Sequence, residues 1–148
     1  LYTEDWHELE TPKPPARIKI NAKTRIVVQA YDRVNGSAER RKLAPFRLGF
    51  EVFTSKEPPK EPSRWNISFA VLPVNDAVPF VYANGSKSGA SGDTVFRFTV
   101  TNYVAGADFE EGFLNPSDFG KGEYTLRVFA ADYFGNIAVK DIPIEVTE

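Results

Sequence analysis

The chain of 148 residues has no cysteine, no methionine and a single histidine, His7. Without cysteine it can form no disulfide, no thiol nucleophile and no thiolate metal site. With His7 as the only imidazole, a Ser-His-Asp arrangement is nearly excluded. No apolar run approaches the ~18 residues of a membrane-spanning helix, and no secretory signal pattern is visible. An excess of one charge is also missing: 18 Lys and Arg stand against 20 Asp and Glu, for a net charge of -2. That excludes the basic field on which nucleic-acid binding depends. The cluster Arg40-Arg41-Lys42 is short, follows Glu39 and reads as a solvated loop. A chain that opens at Leu1 and lacks Met altogether is expected to be a piece of a longer or processed protein.

What is present is a β inventory. Twelve Phe and six Tyr suit a pleated, half-buried surface. A chain of this length buries roughly 68–70% of its unfolded surface, enough for one self-sufficient core. Residues 1–15 read as a linker or N-terminal extension, polar at first and then stiffened by Pro12, Pro14 and Pro15. From residue 16 onward the apolar period is two. Ile18 and Ile20, then Ile26, Val28 and Ala30, then Phe46, Leu48, Phe50 and Val52 each fall on one face. Trp65, Ile67, Phe69 and Val71 follow, then Phe96, Phe98 and Val100, then Tyr124, Leu126, Val128 and Ala130. Ile142, Ile144 and Val146 close the chain, and Pro143 places this last strand at an edge. The separators Asn35-Gly36, Pro58-Pro59, Asn75-Asp76, residues 84–93 and Gly135-Asn136 are turn chemistry. No window is helical, and Asn115 to Asp118 offers at most one helical turn. Residues 16–148 are therefore expected to form an all-β domain, an immunoglobulin-like or fibronectin-III-like two-sheet sandwich of about seven or eight antiparallel strands.

Two segments carry a resemblance. Residues 122–136 include Ala130-Ala-Asp-Tyr-Phe-Gly-Asn136, which resembles the closing hairpin of bacterial immunoglobulin-like domains. In that turn Asp132 bonds the backbone, Gly135 takes a positive φ and Asn136 tolerates one. Ala30-Tyr-Asp-Arg-Val-Asn-Gly36 with Pro45-Phe-Arg-Leu-Gly-Phe-Glu-Val52 is similar to the accessory module attached to lysostaphin-type zinc peptidoglycan endopeptidases. The resemblance implies a catalytic domain upstream in the same chain. It does not put one here, because those enzymes need two His and an Asp at zinc, and this chain has only His7.

Candidate sites stand against plainer roles. Glu110, Glu111, Asp93, Asp108 and Asp118 could pair as catalytic carboxylates, but acidic loops are ordinary and the domain is small for a deep cleft. No catalytic residue and no cofactor are expected. Calcium is the one metal that loop oxygens would suit, through Asp32 with Asn35, Asp108 with Glu110 and Glu111, or Asp132 with Asn136; turn geometry alone explains the same residues. Carbohydrate binding would use aromatic faces. Tyr31, Phe53, Tyr82, Tyr103, Phe129, Tyr133 and Phe134 fall at outward or loop positions, and Tyr133-Phe134 at the hairpin tip, with Tyr31, is the favoured contact. Trp65 is in phase with the core. The sequons at Asn35, Asn66 and Asn84 matter only in a eukaryotic secretory pathway, against which the bacterial resemblance argues.

Three functions are expected in this order. The first is a non-catalytic accessory domain of an exported bacterial cell-envelope protein, positioning or regulating an upstream catalytic domain. The second is a carbohydrate- or wall-polymer-binding module, and the third an adhesion or stalk domain. All three are extracytoplasmic, with an upstream domain, peptidoglycan or polysaccharide as partner, no nucleic acid and no membrane span.

Overall fold

The longest ladder in the molecule joins its last two strands, and the other pairings are added to it. A computed structural model describes residues 1–33, 42–87 and 93–148. Their strand segments are β1 (Tyr2–Thr3), β2 (Ile18–Ile20), β3 (Thr24–Arg25), β4 (Val27–Gln29), β5 (Asp32–Arg33), β6 (Lys42–Leu43) and β7 (Arg47–Phe53). They continue with β8 (Trp65–Ser68), β9 (Arg97–Thr99), β10 (Tyr103–Ala105), β11 (Asp108–Glu110), β12 (Gly122–Ala131) and β13 (Ile137–Val146). One seven-stranded sheet runs β11-β10-β8-β7-β12-β13-β2, and β1-β3, β4-β9 and β5-β6 form short pairs. The protein is mostly β, as its period of two requires. The sheet is mixed, however: β8 with β10 and β13 with β2 run parallel, where antiparallel strands throughout were expected. No helix among the described residues is long and apolar enough to cross a membrane.

The core follows the alternation closely. Leu48, Ile67, Leu126 and Ile144 of the large sheet share one buried cluster with Ile26 beside β4 and Phe98 of β9, so the β4–β9 pair covers the sheet's inner face. Burying each such side chain stabilises the fold by about 1.5–3 kcal/mol.

The outer face departs from the expectation. Phe129 lies opposite Val128 in phase, as the period demands, yet it is 0% exposed. Its cover is the proline-rich segment between β7 and β8. Pro62 is buried, the Arg127 Nη1 donates to the Pro59 carbonyl at 3.0 Å, and the Ser63 N–H donates to Glu51. A Cβ on Gly49 would stand 2.8 Å from Pro62 Cγ and 2.9 Å from the Arg64 carbonyl oxygen, so this loop reaches the sheet only because residue 49 has no side chain. Trp65 joins this outer layer, edge to face with Phe129 at 6.5 Å. The reason is a register shift between Leu48 and Gly49. An extra residue there puts Trp65 out of phase with Ile67, and Trp65 ends half-buried rather than in the core. Pro59, expected in a turn, is thus part of a layer.

Residues 1–9, within the segment expected to be a linker or N-terminal extension, form a hairpin docked on the body. Leu9 N–H donates to the Leu1 carbonyl at 2.8 Å, Thr3 N–H to the His7 carbonyl at 2.8 Å, and β1 pairs antiparallel with β3. Arg25 holds it down. Its guanidinium lies 4.6 Å from the Trp6 ring centre and 4.5 Å from that of Phe113. It also donates to the Glu4 carbonyl at 3.0 Å and pairs with Glu111 at 2.7 Å. A planar, weakly hydrated cation is suited to burial between two rings. Trp6 sits at φ 66°, a conformation that costs a bulky residue about 1–2 kcal/mol, and the Arg25 contact offsets it.

The closing strand is an edge for only part of its length. β2 covers Ile144 to Val146, while among the described residues Ile137 to Pro143 has a neighbouring strand on one side alone. The helical turn expected near Asn115 exists as a 3-10 turn, Pro116–Asp118, with the Asn115 side chain accepting from the Ser117 N–H at 3.2 Å. A second helical stretch, Asn75–Ala77 running into Val78–Val81, had no periodic signal because it is too short to show one.

Two substitutions test this arrangement. Phe129→Ala is expected to lower the unfolding free energy by about 3–5 kcal/mol in urea titrations, and Phe134→Ala to change it by less than about 0.5 kcal/mol. Arg25→Ala is expected to cost about 2 kcal/mol and to red-shift Trp6 emission. Arg25→Lys should recover only part of it, since an ammonium does not stack.

Candidate functional site

The turn joining β12 to β13 is built as its residue types require. Asp132 N–H donates to the Asn136 carbonyl at 3.0 Å and Gly135 N–H to the Asp132 carbonyl at 3.3 Å. The Asp132 carboxylate accepts the Asn136 N–H at 2.8 Å on Oδ1 and the Asn136 side-chain amide at 2.7 Å on Oδ2. Gly135 takes φ 87°. The Asn136 side-chain bond, with the backbone N–H groups of the turn, holds the Asp132 carboxyl below the usual carboxylate range.

This closed turn lifts two aromatic rings into solvent. Tyr133 is 75% and Phe134 87% exposed, their rings edge to face at 5.5 Å. Tyr133 is propped from behind by Phe46 at 5.3 Å, while Phe134 has its outer face free.

Tyr133 forms one wall of a groove of about 410 Å³. Its floor is aromatic: Phe69 and Tyr82 both rest on the buried Phe98, at 6.1 and 5.5 Å. Leu43, Pro45 and Phe46 form a second wall, and Leu72, Pro73 and Val78 a third. The helical stretch after β8 supplies that third wall because Ala77 and Val81 are buried and Val78 is turned outward. Leu72 is 81% exposed. Burial pushes the phenol of Tyr82, one of the lining residues, up, so it stays protonated across the physiological range. Among the described residues, most of the large exposed apolar side chains stand on or beside this groove: Leu43, Val71, Leu72, Val74, Val78, Tyr133 and Phe134.

On the other side of the hairpin a cleft of about 240 Å³ is lined by Tyr31, Asp32, Pro45, Asp132, Asn136 and Ile137, among others. Tyr31, Asp32, Asp132 and Asn136, picked out from the sequence for two different chemistries, thus meet at one end of the molecule with Tyr133 and Phe134. The Lys42 ammonium lies 4.9 Å from the Tyr31 ring centre. Asn35 lies outside the described residues. Among those residues no three His, Asp or Glu side chains gather closely enough to hold a metal ion.

Other candidates are dispersed. Glu111 is the partner of Arg25, Glu110 faces Arg64 at 4.0 Å, and His7 is part of the N-terminal hairpin. Phe129 is inside, and Phe53 is half-buried under the Arg127 guanidinium at 5.5 Å. Asn66 is buried. Nothing in the sequence joins Leu43, Phe69, Leu72, Val78 and Tyr82 into one surface, since they belong to segments far apart along the chain. The one available signal was Val71-Leu72, adjacent apolar residues where alternation breaks. The strand ends at Ser68, and Val71, expected in the core, is 68% exposed.

No protein-family model, curated protein or solved structure matches the chain.

The turn predicts a pH signature. Because the folded pKa of Asp132 is depressed, its contribution to stability is complete above the free aspartate value of about 3.9 and is lost as pH falls through the lower, folded value. Carbon-detected NMR titration should place its midpoint below that of free aspartate, and Asn136→Ala should move it back upward.

Proposed function

We propose that the chain is a non-catalytic, immunoglobulin-like accessory domain of an exported, extracytoplasmic bacterial cell-envelope protein, docking through the Tyr133 end onto a catalytic neighbour in its parent chain. The observation that carries this reading is the crowding of exposed apolar side chains around one groove at one end. A surface of that kind is costly to leave in water and is typical of an interaction site. Among the described residues the groove is lined mostly by apolar side chains, its polar ones being Asp32 and the phenols of Tyr82 and Tyr133, where a sugar site would present several hydrogen-bonding groups beside its rings. That favours a protein surface as occupant.

Two features support the immunoglobulin-like assignment. The order β13-β12-β7-β8 corresponds to the G-F-C-C′ order of a variable-type sheet, with β4–β9 in the place of the B–E pair. In addition, the Tyr124 hydroxyl near the start of β12 donates to the Gly120 carbonyl at 2.8 Å, the bond that defines a tyrosine corner. The motif resemblance makes a lysostaphin-type peptidoglycan peptidase the expected neighbour. The exposed Tyr133-Phe134 pair supports a second reading, binding to a wall polysaccharide through ring faces.

Hydrogen exchange compares the isolated domain with the same domain in its parent protein. Docking should slow exchange at residues 69–81 and 132–136 in the parent, and Leu72→Asp should abolish that difference while leaving the melting temperature of the isolated domain unchanged. Equal exchange in both contexts would sink the docking reading. Saturable co-sedimentation of the isolated domain with insoluble peptidoglycan, lost on Tyr133→Ala and Phe134→Ala, would replace it with the polysaccharide one.

A further inference from the structure

A second cleft lies on the flank of the molecule, away from the Tyr133 groove, and independent of the reading given to that groove. It measures about 310 Å³ and opens between β4 and the uncovered half of β13, with Ile26, Val28, Val128, Ala130 and Ile142 among its apolar walls. Strand edges flank it on both sides. In an antiparallel ladder the backbone groups of alternate residues point toward the partner and away from it. The bond from Asp132 N–H to the Asn136 carbonyl sets the phase: even-numbered residues of β13 face β12, and odd-numbered ones face outward. At Thr147 the outward N–H reaches the Ile20 carbonyl at 3.1 Å, which agrees. Among the described residues the outward groups of Val139 and Asp141 have no such partner, because β2 covers only Ile144 to Val146. By the same rule, Ala30 N–H donating to Phe96 and Val100 N–H donating to Ile26 turn the groups of Val27 and Gln29 outward on the facing edge.

Lys140 sets the chemistry. It falls on the inner face of β13 with Ala138 and Ile142, it lines the cleft, and among the described residues it makes no ion pair. Asp141, its neighbour, is turned to the outer face and held by Arg127 at 2.6 Å. An unpaired edge, an apolar floor and a cation at the mouth together describe an acceptor for one more strand. We propose that the outer edge of Ile137–Asp141 takes up an extended peptide segment with apolar residues at alternate positions and a carboxylate beside Lys140. The segment would pair with Val139 and Asp141, continue the line of β2 along the sheet and end where Pro143 has no N–H to offer. An inward-facing Lys on an edge also repels indiscriminate pairing by apolar strands, so the same residue rejects most segments and admits an acidic one.

The test uses the end-blocked peptide Thr-Val-Thr-Glu-Thr-Val-Thr, titrated into isotope-labelled protein and followed by amide NMR. Saturable shifts at Val139 and Asp141, with slowed exchange of both amides, are expected. Replacing the peptide Glu by Lys, or making Lys140→Glu, should weaken binding about fivefold, and combining the two exchanges should restore it. Val139→Pro removes an outward donor without touching the β12 ladder and should abolish binding, while Lys140→Glu keeps the test valid if that variant fails to fold. Absence of shifts at millimolar peptide would overturn the proposal. So would shifts confined to residues 132–136, or affinity unchanged in Lys140→Glu. Concentration-dependent shifts at Val139 without peptide, with sedimentation as a dimer, would overturn it in favour of a second copy of the chain.

Discussion

Ten residue pairs run without a break from Gly122 opposite Val146 to Ala131 opposite Ile137, and nearly every other feature is referred to that ladder. β7 pairs along seven residues of β12 on one side, and β2 closes part of the other side. Because side chains alternate strictly along a strand, the register of this one hairpin decides which of its residues face the core and which face outward. Arg127 and Asp141 lie directly opposite each other on the outer face and meet as a fork, at 2.6 and 2.7 Å. That bidentate contact holds the Asp141 carboxyl below its usual range and ties the strands where one edge is open.

Segments without regular structure supply the rest of the burial. The loop between β7 and β8 has three prolines, Pro58, Pro59 and Pro62, and it lies flat against the sheet because Gly49 leaves room for it. The N-terminal hairpin is held by a cation between two rings, with Glu111 and a backbone carbonyl completing its partners. In both places a polar side chain reaches across the fold to a backbone carbonyl, and an apolar surface closes over it. Both devices leave buried polar groups satisfied, and no buried side-chain nitrogen or oxygen among the described residues lacks a partner.

The two candidate contact regions differ in kind. The Tyr133 end is a shaped apolar surface whose rings are supported by core aromatics, so its selectivity would come from fit. The flank presents backbone groups and one cation, so its selectivity would come from strand pairing and charge. Both follow from the hairpin: its closed turn displays the first, and its uncovered half forms one edge of the second.

Much of this was legible in the residues alone. The β class, the phase of most strands and the Asp132–Asn136 turn follow from period and turn chemistry. These are local properties, set by a pleat of two residues and by what Asp, Gly and Asn do to their own backbone. The tertiary structure alone decided that Phe129 is covered, that Trp65 leaves the core, that residues 1–9 are docked and that Leu43, Phe69, Leu72 and Tyr82 share a groove. Each of those outcomes depends on segments distant in sequence: Pro62 over Gly49, Arg25 between Trp6 and Phe113, Tyr82 on Phe98. Alternation states which side of a strand a residue lies on. What covers that side is settled by long-range packing, for which the local pattern carries no signal.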